Sequence, residues 1–231
     1  MSPLVCDSMI AHSREEVKSK MRLLVTGATG RVGREVVRQA LAKDYEVVAL
    51  SRSAGQLGIE NKHLRIAAVD VLRERSVIPL LEGVDAVIHA VGIGSSRVPT
   101  TIYSQGARSI IAGMTKYKLK RLVVVSSQAA NVWANQSLFA KIILLPILQH
   151  LFGATYDDMR RMERVLWEST VDWTQVRSPY ISSNPAKGHF RFSNESVPAQ
   201  YRSITAADMA TALVEISARS DLSRQDVFVA N

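Results

Sequence analysis

The sequence predicts a doubly wound α/β fold, a parallel sheet with helices on both faces. Three observations predict it. From residue 21 onward, short strand-like runs alternate with helix-like segments. The strand-like runs are continuously apolar rather than strictly alternating, as strands buried on both faces are. Gly27, Gly30 and Gly33 fall in a GxxGxxG spacing between the first strand and the first helix.

The elements follow in order. MRLLVTG (21–27) is a short β-rich run closed by Gly27, and residues 33–43 place Val36, Val37, Ala40 and Leu41 at helical spacing. YEVVAL (45–50) and LRIAAVD (64–70) are the second and third strands, and VIPLLEG (77–83) is a short helix ending at Gly83. DAVIHAVG (85–92) is the fourth strand, 101–117 a helix, and RLVVVSS (121–127) the fifth strand. Residues 137–152 form the most apolar segment, a buried or interface helix kinked at Pro146. Tyr156–Ser169 is a long amphipathic helix and VDWTQVR (171–177) the sixth strand. Residues 178–204 are rich in Ser, Pro, Asn and Gly and are expected as an irregular cap over the strand ends. Thr205 opens the last helix, to Arg219, with Asp208 at capping-box spacing, and DVFVAN follows.

Composition bounds the function. The chain has 231 residues, 47% apolar and 22% charged, which excludes a disordered, collagenous or coiled-coil protein. Residues 1–20 hold no apolar run long enough for a signal-peptide core and are expected as a flexible extension, with 21–231 as one domain. The unbroken apolar run Ile142–Leu148 is far short of the roughly 20 residues a membrane span needs. A single cysteine, Cys6, excludes an internal disulfide and a CxxC pair, and fits a reducing, cytoplasmic compartment. Histidines 12, 63, 89, 150 and 189 show no zinc-ligand spacing, so no metal is expected. The formal net charge of +8 points toward a polyanion: nucleic acid, anionic membrane or a phosphorylated small molecule. The basic run 116–121 interleaves one aromatic residue and carries no recognition motif, so nucleic acid is not expected. The oligomeric state stays open between monomer and homodimer.

The glycine loop, Thr26-Gly27-Ala28-Thr29-Gly30-Arg31-Val32-Gly33, narrows the polyanion to a dinucleotide. Gly27 permits a sharp turn, Gly30 lets backbone approach a pyrophosphate, and Gly33 lets the helix pack on the strand. The helix start at Val32 then offers free N–H groups to the phosphates, with Thr29 beside them. NAD sites place a carboxylate about 20 residues past the glycines. Here the second strand ends Leu50-Ser51-Arg52-Ser53 instead. Arg52, with Ser53 beside it, can fork onto a 2′-phosphate, and Arg31 can reach the same group, which selects NADP(H). Asp70 and Val71 sit where an adenine amino group can be bound, and Ala90-Val91-Gly92 are small enough for a flat cofactor to lie on.

These residues, with VVVSS and MERVLWESTVDWTQVR, resemble the NAD(P)H-binding atypical short-chain dehydrogenases, and within them the biliverdin-IXβ/flavin reductase and NmrA-like group, over residues 21–210. The resemblance implies a Rossmann-type fold with NADPH across the strand tips and a small-molecule substrate stacked on the nicotinamide. It places Ser127 near the nicotinamide, Arg177 and Ser178 along its side, and Tyr180 toward the substrate. Ser178 departs from the usual Arg-Pro-Pro.

Catalysis departs further. Ordinary members use Tyr-x-x-x-Lys, in which the cation lowers the tyrosine pKa. Here Tyr156 is followed by Arg160, but anchoring on Glu163 puts Thr155 and Met159 in the two slots and Tyr156 one residue off register. The proton donor is Tyr156 or Ser127. Asp157 and Asp158 read as a solvated first helix turn. Trp133 and the apolar 137–152 helix wall an aromatic substrate pocket, or that helix lies in the core or a dimer interface. The favoured function is an NADPH-dependent reductase acting on a flat conjugated acceptor such as a flavin, tetrapyrrole, quinone or enone, which needs stacking more than a strong acid. The alternatives are an NmrA-like redox sensor without chemistry, and an epimerase, dehydratase or isomerase of a small metabolite.

Overall fold

The structure is a computed structural model that describes residues 20–94, 96–130, 145–194 and 203–231. Its sheet holds eight strands in the order β3-β2-β1-β4-β5-β6-β10-β8. The strands are β1 (Arg22–Thr26), β2 (Glu46–Ser51), β3 (Leu64–Ala68), β4 (Ala86–His89), β5 (Arg121–Ser127), β6 (Asp172–Ser178), β8 (Arg191–Ser193) and β10 (Gln225–Ala230). Their order reverses between β1 and β4, which opens a crevice at the carboxyl ends of those two strands. Helices α1 (Arg31–Ala42) and α5 (Ala206–Ser217) cover one face, and α3 (Ile102–Tyr117) and α4 (Leu145–Glu168) the other. Leu23 and Val25 face the first layer and Leu24 the second, so a strand that is apolar at every position has a use for each side chain.

Four expectations need correcting. First, the sheet is not wholly parallel. β8 pairs antiparallel with β10 and forms the outer edge of the sheet. Second, the 178–204 region is not merely irregular. It contains β7 (Tyr180–Ser182), β8 and β9 (Ser203–Thr205), and β7 and β9 pair as a small parallel sheet. Third, the short helix begins earlier, as α2 (Glu74–Val77), and its Pro-containing end tightens into a 3₁₀ turn over Ile78–Leu81. Fourth, the break in the long helix falls at Phe152, with φ −131° and ψ 15°, not at Pro146. Pro146 is the second residue of α4 as described, where a missing N–H breaks no internal hydrogen bond. The expected extension over residues 1–20 lies, but for Lys20, outside the described residues. So do Trp133 and residues 137–144.

The Thr205 cap forms as its spacing predicts: the Asp208 N–H donates to Thr205 Oγ1 at 3.1 Å. α3 has no such local cap. Asp158, on α4, supplies one across the layer. Its Oδ2 accepts from the N–H groups of Tyr103 (2.9 Å) and Ser104 (3.4 Å), and its Oδ1 accepts from Ser104 Oγ (2.5 Å). Asp158 is fully buried, so the expectation of a solvated turn fails for it. Each donor at that helix end is otherwise an orphan. Asp158→Ala should therefore cost about 2–3 kcal/mol in urea unfolding, since it strands two N–H groups and a hydroxyl out of water. A loss under about 0.5 kcal/mol, the ordinary scale of a surface change, would contradict this role.

Candidate functional site

The crevice is one continuous cleft of about 830 Å³ across the carboxyl ends of the central strands. At one end are Leu50, Ser51 and Arg52 of β2 and Val69, Asp70 and Val71 after β3. The glycine loop forms its floor. At the other end are Ser126 and Ser127 of β5, Phe152, Thr155, Tyr156 and Met159 of α4, and Ser178–Ile181.

The glycines there leave backbone where side chains would block it. Gly27 has φ +69°, and a Cβ on it would stand 2.5 Å from the Ala90 carbonyl oxygen. A Cβ on Gly33 would strike the Gly27 carbonyl, so Gly33 serves helix–strand packing and does not line the cleft. Gly30 occupies the N-cap of α1 with no side-chain cap, and no acidic residue lies in the first turn. The α1 N–H groups therefore face the cleft without an internal anion. Thr29 Oγ1 and Ser51 Oγ share a hydrogen bond of 2.7 Å, and the Ala28 N–H donates to the Leu50 carbonyl at 3.3 Å, which stitches the loop to β2. This cradle fits a dinucleotide pyrophosphate.

The sequence-predicted residues distribute as follows. Gly27, Thr29, Gly30, Arg31, Val32, Arg52, Asp70, Val71, Ala90, Val91, Gly92, Ser127, Tyr156, Ser178 and Tyr180 all line the cleft. Ser53 does not; its N–H donates to Ser51 Oγ at 3.3 Å and shapes the turn. Arg31 turns its Nη1 to the Ile181 carbonyl at 2.8 Å, joining the glycine loop to β7 rather than reaching toward Arg52. Arg52 is exposed and forms no ion pair among the described residues. Neighbouring Arg34 is held by the Gln56 carbonyl.

Arg177 is corrected outright. It is fully buried behind the cleft, its Nη2 on Glu163 Oε1 at 2.5 Å and its Nε on Asp226 Oδ2 at 2.9 Å. Two carboxylates draw it inward from α4 and β10, so it braces Ser178 rather than touching a cofactor.

Tyr156 and Ser127 line the same end of the cleft, close enough for Ser127 to act on the phenol, and Ser127 Oγ accepts from the Ala129 N–H at 3.2 Å. Burial pushes the Tyr156 phenol above its ordinary pKa, against the lowering effect of Ser127, so its hydroxyl keeps its proton. Arg160 does not polarise it, because Arg160 pairs with Asp157 at 2.5 Å. Thr155 and Met159 line the cleft beside Tyr156, and Thr155 Oγ1 is buried with no hydrogen-bond partner among the described residues. A one-residue offset on a helix therefore still reaches this wide cleft.

Sequence reasoning missed Tyr103 and Phe152. Tyr103 lines the cleft from the first turn of α3, and burial raises its phenol pKa above the ordinary value. Nothing in its helical spacing separates it from a core tyrosine. Phe152 faces the cleft because the helix breaks there, and meets Tyr156 edge-on at 6.4 Å. Beneath the floor, His89 Nδ1 pairs with Thr26 Oγ1 at 2.8 Å, and complete burial lowers its pKa to about 4 and keeps the ring neutral.

The chain is similar to several known proteins. The chain is 28% identical over 160 residues to the photosystem II assembly factor Ycf39 of Trieres chinensis, covering 68% of this chain and 45% of that protein. It is 31% identical over 109 residues to the uronate dehydrogenase of Pseudomonas putida, covering 46% of this chain and 40% of that one. The chain thus spans less than half the length of these relatives. A short-chain dehydrogenase/reductase from Veillonella parvula, solved in complex with NADP, has the same fold, with a TM-score of 0.76 at 14% identity over 91% of this chain and 94% of that one. So has the oxidoreductase ylbE from Lactococcus lactis, with a TM-score of 0.76 at 20% identity and 91% of both chains covered. No helix among the described residues is long and apolar enough to cross a membrane. A family model described as NAD(P)H-binding matches residues 27–220, and the chain belongs to that NAD(P)H-binding family.

Proposed function

We propose that the protein is an NADPH-dependent reductase that passes a hydride to a flat conjugated acceptor such as a flavin, tetrapyrrole, quinone or enone. The observation that carries this reading is the single cleft running from a free arginine, past a glycine cradle, to Ser127 and Tyr156 side by side at its far end. Gly27, Gly30 and the α1 N-terminus hold the pyrophosphate, Arg52 holds the 2′-phosphate, and Ala90, Val91 and Gly92 give the cofactor a flat floor. When bound, NADPH supplies the hydride. Tyr156 donates a proton to the acceptor atom that gains charge, with Ser127 fixing its hydroxyl, and recovers a proton from water entering the open cleft. Phe152 and Tyr180 offer the acceptor aromatic faces.

Arg52 is the testable element. Wild type should bind NADPH roughly 10–100-fold more tightly than NADH in a fluorescence titration, the range expected of charge-assisted hydrogen bonds to one phosphate. Arg52→Glu should reverse that order. Equal wild-type affinities would remove Arg52 from the reading. A second reading, a cofactor-binding assembly factor or sensor without turnover, draws on the Ycf39 likeness. It predicts tight NADPH binding and no NADPH consumption with any acceptor.

A further inference from the structure

The mouth of the cleft holds a charge that cofactor binding leaves unused. Arg97, in the loop between β4 and α3, sits with its guanidinium carbon 6.0 Å from the centroid of the Phe152 ring. Phe152 lines the substrate end of the cleft, against Tyr156. Arg97 is exposed and forms no ion pair among the described residues. The other arginines near this end are engaged, Arg31 on the Ile181 carbonyl and Arg160 on Asp157. A guanidinium held over a ring face keeps its in-plane N–H fork free.

Apolar surface lies around it. Val98, next in the loop, is 69% exposed, and Tyr180 on the cleft wall is 69% exposed. Large apolar side chains at a cleft mouth mark contact with something apolar. Together these features describe a molecule with a flat apolar body inside the cleft and one negative group at its rim.

Building on the reductase reading above, we infer that Arg97 is a specificity-determining residue that selects an acceptor carrying an anionic substituent, a phosphate or a carboxylate, outside its ring system. The anion takes the Arg97 fork while the ring stacks between Phe152 and Tyr180. Phe152 positions the guanidinium, so the two act as one subsite.

Binding tests this without turnover. Protein saturated with NADP⁺ is titrated with two matched pairs: riboflavin against flavin mononucleotide, which differ by one phosphate, and a naphthoquinone against its carboxylate. The anionic member of at least one pair should bind roughly three- to tenfold more tightly, less so at high salt. The pair that shows the gap identifies the anion. Arg97→Ala should abolish the gap while leaving the neutral member's affinity and the thermal midpoint unchanged, and Arg97→Lys should restore part of it. Equal binding within both pairs, a gap that survives Arg97→Ala, or no binding by any of the four would overturn the inference. Failure of the reductase reading looks different: the gap appears and vanishes as stated, but NADPH is never consumed.

Discussion

Gly27→Ala is expected to destroy cofactor binding and to weaken the fold by about 2 kcal/mol, from a left-handed alanine plus overpacking. The cause is local and steric. The new methyl would lie 2.5 Å from the Ala90 carbonyl oxygen and 2.9 Å from the Val91 Cα, both backbone atoms of the β4 end. No rotamer relieves such a clash, so the loop must move off β4 and carry the Gly30 and α1 N–H groups with it. Losing two or three backbone hydrogen bonds to the pyrophosphate, at about 1.5 kcal/mol each, is roughly a 100-fold or greater fall in NADPH affinity. Gly55→Ala is the control, because a Cβ there meets nothing within 4 Å. If Gly27→Ala bound NADPH as wild type does, the loop would not be the cofactor cradle.

Arg177→Ala should be strongly destabilising, at about 3 kcal/mol or more, because it removes a fully buried guanidinium and leaves two partly buried carboxylates without their cation. In a protein of this size that corresponds to a fall in Tm of roughly 6–20 °C. Arg177 bonds Glu163 of α4 and Asp226 of β10 from β6, so one side chain ties α4 to two strands beneath the site. Its loss should be felt as lower turnover as well as lower stability. The pH dependence has a definite sign. Burial raises the Glu163 pKa, while the Arg177 charge lowers it. Removing Arg177 takes away the stronger of the two cations that oppose burial, Arg160 being the other, so the folded-state pKa rises further above the unfolded one. A carboxyl of that kind costs stability as pH rises through the window between the two values. The deficit of Arg177→Ala should therefore shrink on acidification toward the carboxylate range. A deficit below about 1 kcal/mol, or one that grows with acid, would contradict the brace.

The glycine loop was legible because each of its glycines answers a backbone demand that a side chain cannot meet. The doubly wound parallel sheet followed from apolar runs alternating with helices, each strand apolar on both faces. Arg177 was not legible, since an arginine at a strand end reads the same whether it faces a ligand or two carboxylates from distant elements. Asp158 was misread because its partners, Tyr103 and Ser104, lie far away in sequence on the end of another helix. β8 and β9 are too short and too polar to show a period. Tyr156 looked out of register because a helical repeat predicts a direction but not the width of the cleft it faces.

The central claim is that the Ser127–Tyr156 end of the cleft performs chemistry on bound NADPH. The direct measurement is the anaerobic single-turnover oxidation of bound NADPH by a panel of flavins, quinones, enones and aldehydes, in wild type and in Tyr156→Phe. Wild type should oxidise NADPH with at least one conjugated acceptor. Tyr156→Phe should slow that step roughly tenfold or more, at the low end of the range for a general acid, with NADPH affinity unchanged. NADPH that stays reduced with every acceptor, or a phenylalanine variant as fast as wild type, would contradict the claim.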